Sequence, residues 1–145
     1  MDDLQLQYEL FQNKLAVIEA MRRGAESVDV FAGQTLGPTS FDRIDYPFVN
    51  ILPEQTAYQS GNEWEHTVRF NVAFQRGRRE DDYLIQMMHV FEAIKAINDE
   101  LSGVNCVISY LPVLIEDFAG ETNGNLIVMF STQFRVRTLV DLADV

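Results

Sequence analysis

The hydrophobic positions along the chain change their period several times, and each change marks an element. Leu4, Tyr8, Phe11, Leu15 and Ile18 recur at spacings of four and three. That repeat lines one face of a helix. Arg22 and Arg23 follow where cations suit the C-terminal dipole, and Gly24 reads as the stop. Ser27–Ala32 is a short strand candidate, and 33–45, with Gly37-Pro38, reads as a loop. Tyr46–Leu52 predicts a second strand, with Pro47 placing it at an edge or marking its start. Pro53–Glu63 is polar, contains Ser60-Gly61-Asn62, and reads as a long exposed loop. In Glu65–Gln75 the apolar residues Val68, Phe70, Val72 and Phe74 alternate with more polar ones, the period of a strand with one buried face.

Arg76-Gly77-Arg78-Arg79 turns the chain, and Glu80, Asp81 and Asp82 open a second helix that runs to about Leu101. Its expected buried stripe is Leu84, Met87, Phe91, Ile94 and Leu101, broadened by Met88, Val90 and Ile97, with Ser102-Gly103 as the stop. Val107–Phe118 predicts one strand, interrupted at Pro112, and Asn123-Gly124 is a strong hairpin signal. Leu126, Val128, Phe130, Thr132, Phe134 and Val136 alternate along the return strand. The element order is α-β-β-β-α-β-β. It predicts one α+β domain over residues 1–145, a two-layer sandwich with a mainly antiparallel sheet.

Composition narrows the function. The chain of 145 residues carries 22 acidic against 11 basic residues, a net charge of −11. Such a balance disfavours nucleic acid as a ligand. Only Lys14 and Lys95 are lysines, and an acid-rich, lysine-poor chain suits a halophilic setting. The acidic opening Met1-Asp2-Asp3 is unlike a signal peptide, and no run approaches the ~20 apolar residues of a membrane span.

Candidate chemistry is sparse. Cys106 is the single cysteine, which excludes an intrachain disulfide and a cysteine zinc site. His66 and His89 lack metal-ligand spacing and read as satisfied structural histidines, and Cys106 as a small buried residue. The glycines form no phosphate cradle. The acid pairs Asp81-Asp82 and Glu116-Asp117 read as capping and solvated edges. No catalytic residue, cofactor or metal is expected, and the chain is not expected to be an enzyme. Aromatic residues near the loops read instead as interface anchors: Tyr46, Phe48, Tyr58 and Trp64, with Phe31 and Phe41 beside the earlier loop. Arg76, Arg78 and Arg79 form the one basic cluster, suited to an acidic patch on a neighbouring subunit or to DNA phosphate.

The layout resembles the tail terminator (tail-completion) proteins of long-tailed bacteriophages and tailed archaeal viruses. The resemblance rests on Tyr46-Pro47-Phe48-Val49-Asn50-Ile51-Leu52-Pro53, the polar stretch after it, the strand Glu65–Gln75, the acidic opening of the second helix and the hairpin around Asn123-Gly124. It implies a subunit that closes with copies of itself into a ring, hexameric in the family. The ring would sit on the head-proximal end of the tail, stop growth of the tail tube and offer a surface to the head-to-tail connector. The partners implied are the chain itself, the tail tube protein and the connector, with viral DNA passing through without sequence-specific binding and no membrane. The implied location is the virion, after assembly in the host cytoplasm. Alternatives are another connector or tail-tube subunit, a small ligand-binding α+β domain, and an enzyme using Glu116, Asp117 or His89.

Overall fold

The computed structural model describes residues 2–33, 47–75, 82–103, 106–110, 115–122 and 125–140. The fold is α+β. Its elements in chain order are α1 (Asp3–Glu26), β1 (Phe48–Ser60), β2 (Glu63–Gln75), α2 (Asp82–Ser102), β3 (Cys106–Tyr110), β4 (Ile115–Thr122) and β5 (Asn125–Leu139). Every strand pairing is antiparallel. β2 pairs along its whole length with β5, from Glu63 opposite Leu139 to Gln75 opposite Ile127. β1 flanks β2, while β3 and β4 share the far edge of β5.

The order differs from the expected one in three places, each with a physical cause. Ser27–Ala32 is not a strand: Ser27 caps α1, and Asp29–Phe31 is a 3-10 turn closed by Phe31 N–H to Val28 O at 2.9 Å. That tight turn delivers Phe31 into the core with Val28 and Val30 against it. A short apolar alternation fits either backbone, and packing decides.

Pro53–Glu63 is not a loop either. β1 continues to Ser60, and Gly61-Asn62 alone reverse the chain, with Gly61 at φ 57°. The stretch is polar because β1 is an edge strand open to water, not because it is irregular. Pro53 lies at a register shift, where a missing donor costs no ladder bond. Pro47 stands just before the strand, as its ring geometry favours.

Val107–Phe118 is two strands instead of one. Between Tyr110 and Ile115 the chain advances five residues while its partners on β5, Arg135 and Thr132, are three apart. Pro112 and its neighbours 111–114 lie outside the described residues. So do Asn123-Gly124, although Thr122 pairs with Asn125 across them. Glu80 and Asp81 also fall outside.

The alternation of β2 and β5 builds the core as expected. Val68, Phe70, Val72 and Phe74 meet Val128, Phe130, Phe134 and Val136 in one cluster with Val17, Met21, Ala93, Ile97 and Leu101 of the helices. Edge-on aromatic contacts fix it, with Phe70–Phe134 centroids at 6.2 Å and Phe74–Phe130 at 5.8 Å. On the other sheet face Phe48, Ala73 and Ile127 form a small second cluster.

The helices run antiparallel. Arg23 pairs with Glu100 at 3.2 Å, Gly24 touches Ile97, and Val28 shares a shallow pocket with His89 and Glu92. Gly24 is therefore not a stop: α1 continues to Glu26. A Cβ at Gly24 would lie 2.6 Å from Ile97 Cα, so the glycine is what lets two backbones come this close.

Candidate interaction surfaces

Helix α1 carries two apolar stripes on different sides. At about 100° per residue, Val17, Ala20, Met21, Gly24 and Ala25 cluster on one side, and Leu4, Tyr8, Phe11 and Leu15 on a side roughly 150° away. The first set is buried. The second faces solvent: Leu4 is 77% exposed, Phe11 62%, and Tyr8 and Leu15 are exposed as well. The Leu4–Leu15 part of the repeat thus faces water, while Ile18 is half-buried. The helix is anchored at its start by Asp2, whose carboxylate accepts from Gln5 N–H at 2.7 Å. Asn13 holds its middle to the sheet through Thr138 Oγ1 and Leu139 O, both at 3.3 Å.

Helix α2 repeats the pattern less sharply. Val90, Ala93, Ile97 and Leu101 are buried, and Met87 and Ile94 pack against them in part. Leu84, Ile85, Met88 and Phe91 are exposed, Met88 at 62%. Leu84 and Phe91 were expected inside. The buried stripe is narrower than the apolar sequence of the helix, and small Ala93 sits at its centre.

A third surface lies on the β1–β2 hairpin. Tyr58 and Trp64 face each other across the strands, ring centroids 5.2 Å apart and edge-on. Tyr58 is exposed and Trp64 half-buried. They are strand residues instead of loop residues, and the sheet holds them in fixed places. Phe48, expected at an interface, is buried beside Ala73. Tyr46, Arg76, Arg78, Arg79 and Phe41 lie outside the described residues. Phe31 belongs to the core.

The sheet face opposite the main core is polar and charged. Arg69 binds Glu54 at 2.9 Å and donates to Ser131 Oγ at 2.8 Å. Arg137 lies 3.6 Å from Glu65 and 3.8 Å from Glu63. Glu54, Glu65, Gln133 and Arg135 border a shallow groove of about 340 Å³. Its acids and bases largely answer one another. Exposed pairs of this kind contribute about 0–1 kcal/mol each and serve orientation more than affinity.

His66 is fully buried between two threonine hydroxyls, Thr56 Oγ1 at 2.9 Å from Nδ1 and Thr138 Oγ1 at 2.9 Å from Nε2. Thr138 also accepts from Asn13, so the network ties β1, β2, β5 and α1 together. Burial, with Lys14 adding repulsion, lowers the His66 pKa from 6.5 to about 4 and keeps the ring neutral. His89 Nδ1 lies 3.6 Å from Glu92 on the surface of α2. Glu116 and Asp117 are in β4, opposite Ser131 and Phe130, and Cys106 opens β3. Among the described residues no three metal-ligating side chains gather, and no helix is long and apolar enough to cross a membrane.

Sequence reasoning found both helices' apolar residues but did not separate the buried side of α1 from the exposed one. The signal was present: α1 holds two apolar sets at different helical angles, and a helix lying on one sheet can bury only one of them. Compared with known proteins, the sequence matches no protein-family model and no curated relative.

Proposed function

We propose that this chain is a virion structural subunit that caps a tail tube as a ring of identical copies, ends tube growth and presents a docking surface to the head connector. The observation that carries the docking part is the outward stripe of α1. Four large apolar residues on a capped, anchored helix face water. Contiguous exposed apolar surface of this kind marks a protein contact. The virion setting comes from the resemblance of the element layout. The charged sheet face and the fixed Tyr58–Trp64 pair supply further contact groups, suited to the tube protein and the connector.

The test is the mass of the purified protein by light scattering from low to high salt. Copies that each carry −11 repel one another, and salt screens that repulsion, so assembly should strengthen as salt rises. The expected result is one closed species near six times 16.6 kDa, roughly 100 kDa. Open-ended tubes would instead make the chain a tube subunit. A monomer at every salt, with no binding to purified tail-tube ends, would overturn the reading.

A further inference from the structure

We infer that the outward stripe of α1 in one copy packs on the outward stripe of α2 in the next copy, a head-to-tail contact between two different faces of the same chain. The inference deepens the ring reading and rests on it for the identity of the partner.

Three observations carry it. The first is matching spacing. Read forward, α2 presents Leu84, Met88, Phe91 and Lys95 at intervals of four, three and four. Read backward, α1 presents Leu15, Phe11, Tyr8 and Leu4 at the same intervals. Set antiparallel, Leu15 meets Leu84, Phe11 meets Met88 and Tyr8 meets Phe91. Both runs cover about 16 Å at 1.5 Å per residue.

The second is charge. In that alignment the lysine closing the α2 run, exposed Lys95, comes to the start of α1, where Asp2 and Asp3 are both exposed. On a chain with two lysines, placing one of them opposite the paired acids is an orienting feature. The reverse alignment would set Lys95 beside Leu15, with the single acid Glu19 one turn on in place of the Asp2-Asp3 pair.

The third is area. Taking roughly 200 Å² for a fully exposed large side chain, the two stripes together expose about 800 Å² of apolar surface, roughly half of the ~1,600 Å² that the two partners of a standard interface bury in total. In a ring each copy uses both stripes, one toward each neighbour. Where the two stripes of a copy engage different neighbours, the contact propagates in one direction and closes as a ring or runs on as a filament, whereas a contact between like faces stops at a dimer.

The experiment uses the full chain at the salt where the wild type assembles, with Phe11→Asp and Met88→Asp made separately. Both side chains are exposed, so both variants should keep the wild-type circular dichroism and melting curve. If either loses the fold, Phe11→Gln or Met88→Gln replaces it. Alone, each variant should remain at 16.6 kDa. Mixed one to one, the intact α1 face of one meets the intact α2 face of the other. The mixture should then stop at twice 16.6 kDa, because the remaining faces are both spoiled. Lys95→Glu should weaken wild-type assembly about tenfold at low salt, and Asp3→Lys added to it should recover most of the loss.

Rings whose mass neither substitution changes would overturn the helix contact and leave the ring reading standing. A Met88→Asp protein that dimerises alone would also overturn it, in favour of a contact between like α1 faces. A mixture that stays at 16.6 kDa would overturn it too. A wild-type protein that never leaves 16.6 kDa would overturn the helix contact, and the ring reading falls with it only if the protein also fails to bind purified tail-tube ends.

Discussion

The two halves of α1 share one backbone and serve opposite ends. The second half places Val17, Ala20, Met21 and Ala25 in the core and brings Gly24 against Ile97 of α2. The first half is tied to the sheet at Asn13 and sends Leu4, Tyr8, Phe11 and Leu15 outward. The large residues are outside and the small ones are mostly inside. Close packing selects small residues because the helices meet at backbone distance. The large outward residues face solvent and meet no such limit.

That contrast is open to direct attack. Met21→Ala should cost about 2–5 kcal/mol of unfolding free energy in denaturant melts, as lost contacts plus a cavity. An equal cost at Phe11→Ala would erase the distinction between the halves.

Acid should act at the boundary between them. His66 is neutral in the fold with a pKa near 4, against 6.5 when unfolded. Between these values the unfolded chain binds a proton that the folded chain refuses, so stability is full above about pH 6.5 and falls as the pH drops toward 4. The loss should reach about 3 kcal/mol by pH 4, and His66→Gln should flatten that part of the stability profile. An unchanged slope in the variant would assign the acid sensitivity to other groups.

Gly24→Ala should cost about 1–3 kcal/mol, since the overlap with Ile97 outweighs the gain in helix propensity. A neutral result would show that the helices can part by a few tenths of an ångström. The smallest effect belongs to Phe11→Ala, which should leave the melting of the monomer within about 0.5 kcal/mol of wild type while lowering its assembly.

The strands β2 and β5 and the existence of both helices were legible because their periods are long and unmixed. Val68–Phe74 and Val128–Val136 alternate over enough residues that only one backbone fits. β1 was legible only to Leu52. Beyond it the residues are polar since one edge and both sides meet water, and polarity resembles a loop when no partner strand can be seen. Which face of a helix is buried depends on what lies opposite, so the repeat Leu4–Leu15 showed a helix without showing which way it faces. Tyr58 and Trp64 were recognised as exposed aromatics, but their pairing follows from the hairpin register, which polar residues did not reveal.

The full-length pairing of β2 with β5 also governs when the fold can form. Glu63–Gln75 must wait for Asn125–Leu139, which the ribosome makes after them. Before then the β1–β2 hairpin and helices can form locally in microseconds, but the faces of Phe70 and Phe74 have nothing to close on. Folding is therefore slow to nucleate and nearly complete once β5 arrives. A nascent chain without β5 therefore lacks both the strand that closes the sheet and Thr138, the residue that holds Asn13 of α1.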